Sequence, residues 1–234
     1  MQGQMGPMKG FVRETFTSIQ GEGLYVGKRM SFVRFYGCNL SCMYCDTKDA
    51  QKKDGPFLHE GSEHHNPVEL DFLISRIQEQ HVVITGGEPL LQTDFLRELC
   101  ARLGSLGRSR HLETNGSLPE KLGAVAGLFD TLCLDFKIPS ATGLPAMWDE
   151  HERCLQIARQ GDVFVKIVVS NESKAAELLT ACQIISRVDR DIPLVIQPVF
   201  GERIPDILAL QEKAMDLLSD VRVIPQIHKY LNLQ

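Results

Sequence analysis

Three of the seven cysteines lie close together, in the segment GCNLSCMYCDT. Cys38, Cys42 and Cys45 have the spacing C-x3-C-x2-C and follow an apolar run, residues 31–36, that predicts a β-strand. Thiolates are metal ligands, and thiolates this near in sequence can converge on one centre. Because the number of cysteines is odd and we see no signal-peptide pattern, metal binding or catalysis is favoured over a disulfide framework.

Three cysteines form an incomplete ligand set for the common metal centres. Structural zinc takes four ligands, and an ordinary cubane iron–sulfur cluster takes four cysteines. His59, His64 and His65 could complete a zinc site, and unrelated buried or redox thiols are a third interpretation. We favour a 4Fe–4S cluster held by three thiolates, which leaves one iron open to a substrate or cofactor. The next cysteine in the chain, Cys100, is distant in sequence.

From residue 66 onward, short apolar runs rich in β-branched residues alternate with longer amphipathic stretches. The predicted strands are residues 81–85, 111–114, 131–137, 163–169, 193–199 and 221–224. Asn66-Pro67 is predicted to cap the first helix, and Gly104 and Gly107 to end the second. Apolar strands separated by helices predict an α/β fold with parallel strands and outer helices. An eight-unit barrel needs ~250 residues, so a partial (β/α)6 barrel fits this chain better.

The composition is that of a globular chain with a real core, since 43% of the 234 residues are hydrophobic and 24% are charged. No apolar run approaches the ~18 residues of a membrane-spanning helix. The formal net charge is −5, from 25 basic and 30 acidic residues, which argues against a nucleic-acid-binding surface. We therefore expect a cytoplasmic protein that binds neither membrane nor nucleic acid. Cys100, Cys133, Cys154 and Cys182 are expected to be buried core thiols.

The cysteine motif, with the aromatic Tyr44 before its last cysteine, resembles that of the radical S-adenosylmethionine (radical SAM) superfamily. The segment TGGEP at residues 85–89 resembles the superfamily's GGEP motif. The strings SIQGEG (residues 18–23), FVR (32–34), GCNL (37–40) and DT (46–47), together with the tail PQIHKYL (225–231), resemble the 7-carboxy-7-deazaguanine synthase family, QueE. One domain over residues 1–234 is expected, with residues 1–30 as an extension that carries a substrate-binding segment and residues 31–234 as the barrel.

The resemblance implies a lyase that converts 6-carboxy-5,6,7,8-tetrahydropterin to 7-carboxy-7-deazaguanine with loss of ammonia, in queuosine and 7-deazapurine synthesis. It also implies a 4Fe–4S cluster, SAM, Mg²⁺ bound by Thr47, electrons from flavodoxin or ferredoxin, and a homodimer. The residues implied to contact the cofactor are Tyr44, Cys45, Asp46, Gly87, Glu88, Asp135, Phe136, Lys137, Gln197, Pro198, Val199 and Phe200. Those implied to contact the substrate are Ile19, Gln20, Gly21, Glu22, Arg34, Thr85, Glu113, Asn115 and Gln234.

One segment departs from the family pattern. Residues 135–137 read Asp-Phe-Lys where the synthases usually have Ser-Pro-Lys. Asp-x-Lys resembles the activases of glycyl-radical enzymes, so a related radical SAM enzyme with another substrate is the first alternative function. A non-enzymatic iron–sulfur or zinc module is the second. Lys137 is common to both patterns and keeps its implied place near the cofactor carboxylate.

Overall fold

The computed structural model describes residues 8–234. The strands of this part are β1 (Lys9–Gly10), β2 (Val12–Ile19), β3 (Arg29–Phe35), β4 (Phe57–His59), β5 (Ser62–His64), β6 (Val68–Glu69), β7 (His81–Gly86), β8 (Ser109–Thr114), β9 (Thr131–Asp135), β10 (Val163–Val169), β11 (Leu194–Pro198) and β12 (Val221–Val223). The α-helices are α1 (Leu70–Ile74), α2 (Thr93–Ser105), α3 (Pro119–Gly123), α4 (Pro139–Thr142), α5 (Trp148–Ala158), α6 (Ala175–Asp189), α7 (Ile207–Met215) and α8 (Ile227–Tyr230).

Ten strands form one sheet in the order β12-β11-β10-β9-β8-β7-β3-β2-β4-β5. The strands from β12 to β3 are all parallel to their neighbours. β2 then pairs antiparallel with β3 and continues the sheet toward the β4–β5 hairpin. The sheet is thus open, with different strands at its two edges. The predicted α/β fold with a partial barrel of parallel strands is confirmed.

The core lies between the parallel strands and the helices that connect them. Every residue of β10, with the sequence VFVKIVV, is buried, as expected for a central strand covered on both faces. α2 turns Phe95, Leu96, Leu99 and Leu103 into the same core. α2 ends at Ser105, and Gly107 follows in the left-handed region, with a φ of 70° that favours glycine.

The predicted helix cap at Asn66 is wrong. A two-residue strand, β6, follows Pro67, and the first helix begins only at Leu70. The side-chain amide of Asn66 donates hydrogen bonds to the carbonyl oxygens of Val12 (2.9 Å) and Gly55 (2.8 Å). Asn66 therefore connects β2 to the long loop, because these backbone groups compete successfully for its short polar side chain.

Two features of the sheet were not predicted. β2 occupies eight residues of the stretch that we expected to be an extension, and it pairs with β3 from Val12 to Ile19. The long loop after the cysteines contains the β4–β5 hairpin, which extends the sheet beyond β2. Residues 1–7 of the predicted extension lie outside the described residues. Among residues 8–234, no helix combines the length and the apolar character needed to cross a membrane.

Candidate active site

A cavity of about 380 Å³ opens where the parallel strands end, at their carboxyl side. We call it the first cavity. In open α/β sheets and barrels this edge is where ligands bind. It brings together the cysteine loop and the ends of β7 to β11. Most of the residues that we predicted to bind the cluster, magnesium or the cofactor line this first cavity. They are Cys38, Cys42, Tyr44, Cys45, Asp46, Thr47, Gly87, Asp135, Lys137, Gln197, Val199 and Phe200.

A second cavity of about 260 Å³ adjoins the first on the side of β2 and α8. The predicted substrate residues that line it are Ile19, Gln20, Gly21, Glu22, Arg34, Thr85, Glu113 and Gln234, whereas Asn115 lines the first cavity. The walls common to both cavities are Glu22, Arg34, Asp46, Thr47, Thr85, Glu113 and Lys229. Two ligands bound in the two cavities would therefore lie next to each other.

The three clustered cysteines fit a metal–sulfur centre. All three are free thiols that line the first cavity. Burial raises the pKa of Cys38, and a negative charge on Cys45 raises it further. The pKa of Cys42 is likewise raised by burial and by charge on Cys38 and Cys45. Among residues 8–234 no three metal-ligating side chains are already arranged around one point, but the three thiols lie on one loop along the same cavity, and thiolates are the ligands that cluster iron takes.

Gly86 and Gly87 allow the end of β7 to contact the cysteine loop directly. The N–H of Gly87 donates to the carbonyl of Phe35 (3.1 Å), and the N–H of Glu88 donates to the carbonyl of Gly37 (2.7 Å). A Cβ atom at Gly87 would overlap the Gly37 carbonyl, and Gly86 has a φ of 142°. From the sequence we expected glycine here for close approach to a ligand. The structure adds close approach between two segments of backbone.

Three predicted cofactor residues do not line the first cavity. Glu88 is fully buried and accepts hydrogen bonds from Thr114 and from the backbone of Asn115. Phe136 is in the core, stacked on His151 with the ring centroids 4.4 Å apart. Pro198 ends β11 and faces a neighbouring groove instead. These side chains support the walls of the site from behind.

Four charged side chains form a continuous chain across the site. The Lys137 ammonium lies 2.9 Å from Asp135 Oδ2, and the Lys166 ammonium lies 3.2 Å from the same oxygen. Lys166 also donates to Glu22 Oε2 at 2.5 Å. Lys137 donates a further hydrogen bond to the Tyr44 hydroxyl at 3.1 Å. Positive and negative groups alternate, so the chain of four is electrically neutral.

The charges in this chain stabilise one another strongly. Burial alone would raise the pKa of Glu22, but the Lys166 ammonium, together with hydrogen bonds such as the one from Gln226, holds the pKa well below the usual range. Burial would lower the pKa of Lys166, but Glu22 and Asp135 hold it well above its ordinary value. Both groups are therefore ionised at neutral pH, with Lys166 as the cation between two carboxylates.

Two residues that line the first cavity each have a buried side-chain oxygen without a hydrogen-bond partner in the described part of the chain. These oxygens are Asp135 Oδ1 and Gln197 Oε1. Buried acceptors are nearly always satisfied in folded proteins, so these two suit a ligand that brings donors. The ammonium and ribose hydroxyl groups of SAM are such donors. The residues present thus fit both the cluster and the cofactor that the sequence predicts.

Comparison with known proteins agrees with this arrangement. A family model described as the Radical SAM superfamily matches residues 32–171. A 7-carboxy-7-deazaguanine synthase of Geobacter sulfurreducens is 38% identical, over 94% of this chain and 96% of the relative. One of Archaeoglobus fulgidus is 36% identical, over 97% and 100%. The chain belongs to the 7-carboxy-7-deazaguanine synthase family of radical SAM enzymes.

The fold is also that of a solved member of the synthase family. The crystal structure of QueE from Escherichia coli matches with a TM-score of 0.67 at 20% identity, over 94% of this chain and 95% of that one. A structure of SuiB from Streptococcus suis bound to S-adenosylmethionine matches with a TM-score of 0.56 at 14% identity, over 82% of this chain and 46% of that one. At these identities the likeness concerns the fold alone.

Within the second cavity, the residues predicted from the synthase resemblance form two hydrogen-bonded groups. In the first, Glu113 accepts from the Gln20 amide and from the Thr85 hydroxyl, both at 2.9 Å. In the second, Glu14 accepts from Arg34 Nε (2.7 Å) and from the Gln234 amide (2.6 Å). Glu14 was not predicted. It fixes the orientation of the Arg34 guanidinium, whose predicted role is to pair with the substrate carboxylate.

The residues after β12 close the second cavity, and sequence reasoning named only Gln234 among them. Gln226 donates to Glu22 Oε1 at 2.7 Å, and Lys229 donates to Asp46 Oδ2 at 2.5 Å. His228 lies so close to Gly21 that a Cβ atom at that glycine would overlap its ring. The resemblance of PQIHKYL to the synthase tail was the signal that could have identified these residues.

Lys166 is a further residue of the first cavity that the sequence did not identify. It lies in the middle of β10, whose remaining residues are apolar, and it lines the first cavity. A single lysine inside an apolar strand was the available signal, because a buried charge requires a partner.

Proposed function

We propose that this chain converts 6-carboxy-5,6,7,8-tetrahydropterin to 7-carboxy-7-deazaguanine with loss of ammonia, as a radical SAM lyase of queuosine and 7-deazapurine synthesis. The observation that carries the proposal is the pair of adjoining cavities. One contains the three thiols, the other contains the SIQGEG segment, and they share walls such as Glu22 and Thr85. A cofactor held in one cavity would therefore lie beside a substrate held in the other. The named relatives support the same reaction.

Each cavity has residues suited to its ligand. When bound, the cluster and SAM supply a radical that takes a hydrogen atom from the substrate. Lys137 is a cation suited to a cofactor carboxylate, and Asp135 Oδ1 is a free acceptor for an ammonium group. In the second cavity, Glu113 can accept hydrogen bonds from the N–H groups of a pterin ring, and the planar Arg34 guanidinium suits a carboxylate.

Thr47 is proposed to bind Mg²⁺ beside the substrate. It lines both cavities, and its hydroxyl lies 3.3 Å from Asp46 Oδ1, so hard oxygen ligands are at hand. Replacing Thr47 by alanine should weaken the Mg²⁺ dependence of turnover while leaving the iron content unchanged. Loss of iron in this variant would instead assign Thr47 to the structure of the cysteine loop.

The electron donor and the assembly are proposed from the family resemblance. A flavodoxin or ferredoxin would supply low-potential electrons, and the protein would act as a homodimer in the cytoplasm. The proposed electron donor would be supported by turnover with flavodoxin or ferredoxin and by no turnover when the donor lacks its flavin or iron–sulfur group. Sedimentation of the reconstituted protein at twice the mass of one chain would support the homodimer, and sedimentation at the mass of one chain would exclude it.

The direct test is anaerobic reconstitution followed by incubation with reductant, SAM, Mg²⁺ and the carboxypterin, with 7-carboxy-7-deazaguanine as the measured product. About four irons per chain are expected for one cluster, with a Cys45→Ala variant as the control that lacks a ligand. Radical transfer to a protein glycine without conversion of the pterin would favour the activase alternative. One tightly bound zinc without cleavage of SAM would overturn the enzyme assignment.

A further inference from the structure

Lys166 occupies an unusual position for a charged residue. It is 6% exposed, in a strand whose seven residues are all buried. The sheet register places its Cα opposite that of Asp135 on β9, and the backbone N–H of Phe136 donates to its carbonyl at 2.8 Å. An ammonium group at such a depth is costly unless it is paired. The side chain therefore depends on the carboxylates that it contacts.

Its two carboxylate partners belong to different parts of the site. Glu22 comes from the SIQGEG segment and lines both cavities, whereas Asp135 comes from the end of β9 and lines the first. Lys166 contacts Glu22 Oε2 at 2.5 Å and Asp135 Oδ2 at 3.2 Å. It is thus a direct electrostatic link between the substrate segment and the cofactor wall.

Asp135 divides its charge between two lysines. Its Oδ2 atom faces both Lys137, at 2.9 Å, and Lys166. Without Lys166, the full negative charge of Asp135 would act on Lys137 alone. The Asp135 carboxylate would then compete with the cofactor carboxylate for the Lys137 ammonium, because both anions are attracted to the same cation. With Lys166 present, Asp135 is neutralised from the other side.

We propose that Lys166 is a positioning residue that neutralises Asp135, so that Lys137 remains available to the SAM carboxylate, and that it holds Glu22 at the boundary of the two cavities. This inference rests on the proposed function only in that the first cavity binds SAM. A cation at position 166 neutralises two carboxylates, Asp135 and the nearer Glu22. Only the part of its effect that acts through Asp135 bears on Lys137.

The proposal predicts that the effect of removing Lys166 depends on Asp135. We would measure the dissociation constant of SAM by equilibrium dialysis with reconstituted protein, for K166M, D135S and the double variant D135S/K166M. K166M should weaken SAM binding at least about tenfold, or ~1.4 kcal/mol. In the D135S background the same change should weaken it by about twofold or less, because the uncompensated acid is gone. The matched control is K213M, which removes an exposed lysine of α7 and should leave SAM binding unchanged.

A second readout follows the cluster itself. The electron paramagnetic resonance spectrum of the reduced cluster should change on addition of SAM in the wild type and in D135S/K166M. In K166M the change should require a higher SAM concentration. Binding and spectra are independent of pterin turnover. A protein that binds SAM in this Lys166-dependent way but makes no deazaguanine would disprove the proposed function and leave this inference standing.

Two results would overturn the inference. One is equal weakening by K166M in both backgrounds, which would assign Lys166 to packing or to Glu22 alone. The other is wild-type affinity in K166M. If K166M does not hold the cluster, the same comparison is made between K166R and D135S/K166R. The larger arginine side chain should place its charge differently from lysine and so neutralise Asp135 less well. K166R should therefore weaken SAM binding in the wild-type background more than it does in the D135S background. Equal weakening in the two backgrounds again rejects the proposal.

Discussion

Replacing Glu88 by alanine should destabilise the fold more than replacing it by glutamine. Glu88 is fully buried next to the GG turn, and its pKa is raised by burial. Its Oε1 atom accepts from the N–H of Leu90 (3.0 Å) and from the hydroxyl of Thr114 (2.9 Å). Its Oε2 atom accepts from the N–H of Asn115 (2.8 Å). One carboxylate thus satisfies three donors from two segments of the chain.

The size of the effect follows from these three donors. A buried donor left without a partner costs about 1–3 kcal/mol. Alanine leaves two backbone N–H groups and one hydroxyl unsatisfied, so Glu88→Ala should cost at least about 3 kcal/mol. Glutamine keeps one acceptor oxygen, but its amide NH2 group replaces the other oxygen and cannot accept a hydrogen bond. About one of the three hydrogen bonds is therefore lost, at a cost of about 1–3 kcal/mol. Domains of this kind have about 5–15 kcal/mol of stability in all.

The assay is urea unfolding followed by circular dichroism, with midpoints and slopes compared among wild type, Glu88→Ala and Glu88→Gln. The matched controls are Glu98→Ala and Glu98→Gln on the exposed face of α2, which should stay within about 0.5 kcal/mol of wild type. If the two Glu88 variants have the same stability, or if alanine is as stable as wild type, the hydrogen-bond count does not describe this site.

Three further predictions concern the cysteine loop and the core. Gly87→Ala should prevent cluster assembly, because its Cβ would overlap the Gly37 carbonyl; wild-type iron content after reconstitution would contradict this. Cys45→Ser should lower the iron content, whereas Cys182→Ser, in the core, should leave it unchanged, and equal losses would argue against the three-thiol site. Burial lowers the pKa of His151 to about 4 in the folded protein, whereas a histidine in the unfolded chain has a pKa of about 6.5. Between these two pH values the unfolded chain therefore binds a proton at His151 and the folded chain does not. His151 should therefore contribute about 3 kcal/mol to the loss of stability as the pH falls through this window. Other histidines with lowered pKa, such as His111, contribute to the same slope, so His151→Phe should make the slope shallower, and an unchanged slope in urea midpoints would refute the prediction.

The elements were predictable where burial alone determines the pattern. β7 and β10 are apolar runs in sequence because both of their faces are covered, and both were predicted within a residue or two. Asn66 was misassigned because a cap and a strand-linking amide use the same side chain, and only the fold brings Val12 within its reach. β2 was missed since polar residues such as Arg13, Glu14 and Thr15 interrupt its apolar pattern.

The site was predictable in composition and less so in connectivity. Motifs placed the three thiols, but no motif could pair Lys166 with Glu22, which lies 144 residues away in the chain. That pairing depends on the register of β9 against β10 and on the path of the N-terminal segment. Glu88 was predicted to bind cofactor because it follows the glycine motif. The turn at Gly86 and Gly87 sends its side chain into the interior instead, and strand alternation gives no information beyond such a turn.

The wall formed by residues 226–234 has a consequence for the order in which the site is made. A ribosome completes the cysteine loop and every strand of the sheet before it adds Gln226, His228 and Lys229. A chain interrupted before Gln226 would thus carry all three thiols and most of the first cavity, with the second cavity open on one side. Such a chain could consume cofactor without capturing a substrate. Segments fused after Gln234 would begin at this same wall, beside Ser18, whose hydroxyl donates to the Gln234 carbonyl at 2.8 Å.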